Sequence, residues 1–180
     1  LPFEKLSDDS MRSLISTSSI LKETELSIDE ALAFAEGRFG YLQSFIEDQG
    51  AELFSYIIDG VKGFPNADKK TIFDIGQKIN ADRNNNRITR FLELFNWWCE
   101  NLIKHLTGIK QYSKLRDDEI TILNALEDDY EVEKSIEALM NICEKITQMK
   151  NDNLWASLDK QTLVLNAFIA FNNEFKKIKK

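Results

Sequence analysis

Proline and glycine, the residues that most often interrupt regular secondary structure, are scarce in this chain. Its 180 residues include only two prolines and seven glycines. Apolar and polar residues do not alternate regularly over four or more positions, which leaves little room for a β-sheet. The hydrophobic content of 43% is enough for one full core and a small additional module. The sequence therefore predicts an all-α fold.

Cysteine and histidine are also rare. Cys99 and Cys143 stand apart, with no CxxC pair, and His105 is the only histidine. Zinc sites use closely spaced cysteines and histidines, so we expect no metal site. Two isolated cysteines instead indicate buried thiols in a protein of the reducing cytoplasm. A lone histidine near the end of a helix is more typical of a solvated side chain than of a catalytic base.

Long hydrophobic segments and excess positive charge are both missing. The longest apolar run, Leu163–Phe171, contains Asn166 and is far shorter than the roughly 20 residues that span a bilayer. The net charge of −7 argues against an autonomous nucleic-acid-binding protein. The one basic cluster lies in the C-terminal tail, where lysines can pair with the end of a helix. It comprises Lys176, Lys177, Lys179 and Lys180.

No catalytic or nucleotide-binding motif is present. The patterns GxxxxGK[ST], GxGxxG, GxSxG and HExxH are all absent. Asp82, Asn84, Asn86 and Glu93 have the spacing of calcium ligands in an EF-hand, but Arg87 stands where the tight turn needs glycine. The acidic clusters at 117–119 and 127–133 are better explained as helix caps and solvated loops. We therefore expect no enzyme activity, no cofactor and no metal.

Apolar residues at three- and four-residue spacing predict nine helices. Ser27 and Glu30 form a capping box, and Asn66 is the expected cap of the fifth helix. The apolar faces of these helices are expected to include Leu14, Phe73, Val132 and Met140, and the last helix is apolar on almost all sides. The helices are predicted at about 8–15, 28–36, 42–46, 53–61, 67–79, 88–106, 118–127, 131–149 and from 160 onward.

Large aromatic side chains near helix edges are candidates for a protein interface. Trp97 and Trp98 are adjacent, so they cannot share one helix face. If Trp98 is in the core, Trp97 points outward, and outward tryptophans are enriched in interfaces. We choose Trp97, Trp155 and Phe175 as candidate interface residues, with burial in the core as the alternative for each.

Four segments together resemble the delta-prime subunit of the DNA polymerase III clamp loader. Leu1–Ser7 resembles the exit from the ATPase-like core of that family into its lid domain. Ala33–Leu42 resembles the lid turn A-x-G-S-P-G-x-A-L, with Gly37, Arg38 and Gly40 at the turn. Arg90–Trp98 resembles a long helix of the collar domain, and Leu158–Phe168 resembles the final collar helix. The resemblance covers nearly the whole chain.

The resemblance implies a lid remnant over 1–45 and a helical collar over 46–180, with the P-loop-type core upstream of Leu1. In ATPase relatives the lid carries a nucleotide-sensing arginine, and the matching position here is Gly40. Delta-prime subunits resemble stators: they do not hydrolyse ATP but pack against the tau/gamma motor subunits and the clamp-opening delta subunit. Arg38 and Phe39 depart from the small and proline residues usual in the lid turn.

The implied function is non-catalytic assembly of the loader ring that places the sliding clamp on DNA, with no direct nucleic-acid or membrane contact. The alternative from a different class is an independent all-α adaptor that binds an unrelated protein partner. An enzyme that uses the acidic loops and His105 is the least supported reading. A delta-prime core encoded upstream of Leu1 favours the stator, and a start codon at Leu1 favours the adaptor.

Overall fold

A computed structural model describes residues 5–22, 24, 26–81, 86–109, 117–156 and 159–179; the side chains of 154–156 lie outside this description. The described residues form helices joined by turns and loops, with no β-strand among them. This confirms the predicted all-α fold class.

Nine helices account for the regular structure in these ranges. Each of them was predicted from the sequence, α2 from its capping box and the others from the spacing of apolar residues. They are α1 (Asp8–Thr17), α2 (Ile28–Ala35), α3 (Phe39–Glu47), α4 (Gly50–Val61), α5 (Lys69–Ala81), α6 (Asn86–Leu106), α7 (Asp117–Asp129), α8 (Val132–Ala156) and α9 (Lys160–Ile178).

Local capping explains where several helices begin. The capping box at the start of α2 is present: the Ser27 hydroxyl accepts from the Glu30 N–H, and the Glu30 carboxylate accepts from the Ser27 N–H. The prediction that Asn66 caps α5 is wrong. Asp68 accepts the backbone N–H groups of Lys70 and Thr71 instead, because it directly precedes the first turn.

The chain divides into two compact units, and the division follows Ala51. The boundary that the resemblance implies, at 45, falls inside α3. The first unit contains α1, α2 and α3, with α2 packed against both other helices. Phe34 and Phe45 stack within it, with ring centroids 4.5 Å apart.

The second unit is organised around α6 and α9. Helix α6 packs against α8 and α9, and α9 also packs against α5 and α8. Aromatic rings fill the space between α6 and α9: the ring of Phe95 lies 5.4 Å from that of Phe168, and Trp98 stacks on Phe171 at 5.7 Å. Trp98 is fully buried, as the sequence predicted. These contacts form the centre of the core.

Some residues assigned to apolar faces are exposed. Phe73 is 46% exposed and Ile169 on α9 is 51% exposed, although the last helix was expected to be surrounded. In α5 the buried stripe is Ile72, Ile75, Gly76 and Ile79, so Phe73 lies beside the face that meets α9 rather than on it. The other exposed members of the predicted faces are Leu14, Val132 and Met140.

The close approach of α4 to α9 generates a stability prediction. A Cβ atom at Gly60 would lie 2.3 Å from ring atoms of Phe168, which is itself fully buried. We expect Gly60→Ala to lower the free energy of unfolding by about 1–3 kcal/mol, because the ring cannot move without disturbing the core. Urea denaturation followed by circular dichroism measures this change.

Gly76→Ala is the matched control in the same unit. Its Cβ would meet Gln161 Cγ at 3.0 Å, and that flexible side chain can shift. The added helix propensity of alanine, about 1 kcal/mol, offsets the contact. If Gly60→Ala and Gly76→Ala lower the free energy of unfolding equally, the contact with Phe168 is not the cause of the loss.

Candidate functional site

The turn between α2 and α3 is the first candidate region, and its conformation requires glycine at one position. Glu36 and Gly37 both have positive φ, at 45° and 76°. The Leu6 N–H donates to the Gly37 carbonyl oxygen at 2.9 Å, and a Cβ at Gly37 would lie 2.7 Å from the Leu6 carbonyl oxygen. The helix–turn–helix expected around Gly37 is therefore present, and it is fastened to the segment before α1.

Arg38 and Gly40 lie in this turn but differ in their surroundings. The Arg38 guanidinium pairs with Glu36 at 3.3 Å and lies 4.8 Å from the centre of the Tyr41 ring. Lys5 also approaches Glu36, at 3.7 Å. Gly40 is in the first turn of α3, with open space where a Cβ would be. The turn is thus a charged surface held together by local contacts.

The three candidate interface residues have different outcomes. Trp97 is half-buried, and its ring meets Phe54 edge-on at 5.9 Å, so part of the indole reaches the surface. Phe175 is fully buried. The prediction that Phe175 belongs to an exposed interface is therefore wrong. The side chain of Trp155 lies outside the described residues.

Phe175 is buried because it lies one helical turn after Phe171 on the inward face of α9. Its ring contacts Phe171 at 4.9 Å, Phe64 at 5.1 Å and Tyr130 at 5.3 Å. These contacts also bring the loop after α4 and the end of α7 onto α9.

A groove of about 370 Å³ lies between the start of α5 and the end of α9. The two helices run antiparallel, since Lys69 and Lys176 both line this groove while Gly76 faces Gln161 further along. Ile72 and the half-exposed Ile169 provide apolar surface. The remaining lining comes from the loop before α5 and from the polar stripe of α9: Pro65, Asn66, Ala67, Asn172 and Asn173.

Hydrogen bonds of Asn172 hold the two sides of the groove together. Its Oδ1 accepts the Ala67 N–H at 3.3 Å, and its Nδ2 donates to the Phe168 carbonyl oxygen at 2.9 Å. The bond to Phe168 is buried and therefore shielded from water, and the bond to Ala67 is part-buried. The sequence offered no signal for this groove beyond the basic residues at the end of α9.

The lysines at the end of α9 have unlike environments. Lys177 donates to Glu174 at 2.7 Å, and Lys145 on α8 pairs with the same carboxylate. Lys69 and Lys176 are exposed, and neither forms an ion pair within the described ranges. Two lysines that form no ion pair in the described ranges therefore line a partly apolar groove.

Burial alone raises the pKa of Glu174, but hydrogen bonds and charge from Lys145 and Lys177 outweigh it, so the pKa lies below its ordinary value. Only 6% of the Glu174 side chain is exposed. This carboxylate thus joins α8 to α9 as an anion.

Residues from the EF-hand-like spacing take part in ion pairs. Arg87 is buried and pairs with Glu52 at 2.5 Å, which connects α6 to α4. Glu93 accepts from Arg90 at 3.1 Å and from Lys150 at 3.3 Å. Asp82 and Asn84 lie outside the described residues. The described residues contain no group of three or more histidine, cysteine or acidic side chains able to hold a metal.

The thiols of Cys99 and Cys143 are free and lie within hydrogen-bonding reach of each other. Burial raises the pKa of Cys99 well above its ordinary value, and the hydrogen bond with Cys99 lowers that of Cys143. Cys143 is only half-buried, whereas both cysteines were expected in the core. His105 lies in the last turn of α6.

The chain matches no family model, no curated protein and no solved structure among those compared with it. Among the helices in the described ranges, none is both long and apolar enough to cross a membrane.

The Gly37 turn generates a prediction for the first unit. Gly37→Ala places a side chain in a left-handed conformation and against Leu6, so we expect local stability to fall by about 1–2 kcal/mol or more. A chain of two units need not unfold in one step, so a global unfolding curve does not isolate this change. Hydrogen–deuterium exchange of the amides in α2 and α3 measures the local stability instead. Gly40→Ala is the control, and its exchange should stay equal or slow down because space is open there. Unchanged exchange in the Gly37→Ala variant would contradict the conclusion that the turn requires glycine at position 37.

The Glu174 pairs predict how stability depends on pH. Because the pKa of Glu174 is lowered in the folded state, its ionisation stabilises the fold at pH values above the ordinary glutamate pKa of 4.5. This contribution is lost as the pH falls through the pKa of the folded state. We expect Glu174→Gln to lower the unfolding free energy by about 1–3 kcal/mol at neutral pH and by less in acid. Urea denaturation from pH 7 to pH 3 checks this. If Glu174→Gln lowers the unfolding free energy by the same amount at every pH, the negative charge of Glu174 is not the cause.

Proposed function

We propose that this chain is a non-catalytic helical assembly module, and specifically the lid and collar part of a clamp-loader delta-prime subunit. The observation that carries the proposal is the helix–turn–helix of α2 and α3, whose glycine turn lies within the segment that resembles the delta-prime lid. A separate, larger helical unit follows it in the chain, in the order that the resemblance implies. The proposed role is to hold the ring that loads the sliding clamp.

Partner binding is proposed to occur through helix faces of the second unit. Trp97 offers part of a large aromatic ring at the surface, backed by the buried Phe54. A rigid, partly exposed tryptophan is the kind of side chain that contributes most to protein interfaces. The proposed partners are the delta and tau/gamma subunits, without nucleic acid or membrane. The two free cysteines agree with a cytoplasmic setting.

Complex formation tests this proposal. We expect this chain, mixed with the delta and tau/gamma subunits of the same organism, to form a species of higher mass in size-exclusion chromatography with light scattering. Trp97→Ala should weaken that species about tenfold, because truncating an anchoring tryptophan removes a large contact area. The measurement is a titration of each subunit at constant ionic strength.

Trp97→Phe is the control, since it retains an aromatic ring for the contact with Phe54. If both variants fold as the parent does and only Trp97→Ala loses binding, the surface aromatic is part of the interface. Absence of any mixed species at high micromolar concentration would contradict the clamp-loader proposal. The independent adaptor would then become the function to pursue.

A further inference from the structure

The groove between α5 and α9 combines features that a purely structural crevice does not need. Ile169 lines the groove and is 51% exposed, and Ile72 provides apolar surface from the opposite helix. Ile72 lies one turn after Lys69 on α5, and Ile169, Asn173 and Lys176 follow one stripe of α9. Each helix therefore contributes a lysine and an apolar residue to the groove: Lys69 and Ile72 from α5, and Lys176 and Ile169 from α9.

The charge of this surface differs from that of the chain as a whole. The chain carries 30 acidic and 23 basic residues, yet lysines line the groove on both sides. Two carboxylates adjacent to these lysines in the sequence have other partners: Asp68 accepts two backbone N–H groups of α5, and Glu174 pairs with Lys145 and Lys177. Asp74 is exposed on α5 beside Phe73. Lys69 and Lys176 remain without an acidic partner in the described part of the chain.

We propose that this groove binds an acidic, amphipathic segment of another protein. Apolar side chains of that segment would cover Ile72 and Ile169, and its carboxylates would pair with Lys69 and Lys176. The volume of about 370 Å³ accommodates a few side chains and not a folded domain. Two lysines around an apolar floor suit a peptide better than nucleic acid, which requires a longer basic track along its phosphates.

The side-chain amide of Asn173 adds directional recognition. Asn172 is committed to Ala67 and Phe168, whereas Asn173 lines the groove and is exposed. An exposed amide can donate to and accept from the backbone of an extended or helical peptide. This inference is independent of the clamp-loader assignment, which concerns the joining of whole subunits.

Selection from a random peptide display library against the full chain is the first test. We expect the enriched peptides to combine aspartate or glutamate with leucine, isoleucine or phenylalanine. Synthetic copies of these peptides, labelled with a fluorophore, should bind in fluorescence anisotropy. Lys69→Glu/Lys176→Glu should weaken them about tenfold or more, because attraction becomes repulsion at both ends of the groove.

Lys22→Glu/Lys134→Glu is the matched control, since it changes the net charge equally at exposed positions outside the groove. Ile169→Ser tests the apolar contribution, with an expected loss of about fivefold, and Met140→Ser is its control at another exposed apolar residue. Circular dichroism confirms that all variants are folded.

Three results would overturn the proposal. One is the enrichment of no peptide, or of peptides without acidic residues. Another is equal weakening by the groove variant and the lysine control. The third is that the groove variant loses binding to a single-stranded DNA oligonucleotide or to anionic vesicles while peptide binding is unaffected. None of these results changes the mass of the mixed species with the clamp-loader subunits, so the two proposals fail separately.

Discussion

Aromatic packing between α6 and α9 is the interaction on which the second unit depends. Phe95 meets both Phe168 and Phe171, at 5.4 and 6.0 Å, and Trp98 stacks on Phe171. Rings at such distances gain about 0.5–1.5 kcal/mol per pair beyond the burial of their surface. Other helices pack against these two. Helix α8 contacts both of them, and α4 approaches α9 at Gly60, where the absence of a side chain leaves room for the ring of Phe168.

This arrangement also determines which residues of α9 remain exposed beside α5. Helix α9 turns its phenylalanines toward α6, so the residues between them on the helix face outward beside α5. Ile169, Asn173 and Lys176 are exposed for this reason. The groove and the core are thus two faces of one helix. A substitution on the inward face that rotates or shifts α9 therefore also changes the shape of the groove.

The helices and the position of the core could be predicted because both depend on local spacing. The repeat from Ile88 to Leu106 identified α6 and the burial of Trp98. Burial at helix edges could not be predicted in the same way, because it depends on which distant element covers each face. Phe73 lies between Ile72 and Ile75 and Phe175 between Glu174 and Lys176. It is nevertheless Phe175 that meets aromatic rings, those of Phe64 and Tyr130. The groove escaped prediction because Lys69 and Lys176 are far apart in the chain.

The buried amide of Asn172 has a consequence for binding kinetics and entropy. By accepting the Ala67 N–H, it holds the loop before α5 against α9 in the folded chain. Both walls of the groove therefore have their geometry before any ligand arrives. A ligand that enters a preorganised site loses only its own freedom and does not order the receptor, which favours association. Asn172 thus holds together the two walls of the groove, and the contacts proposed for a ligand are left to its neighbours.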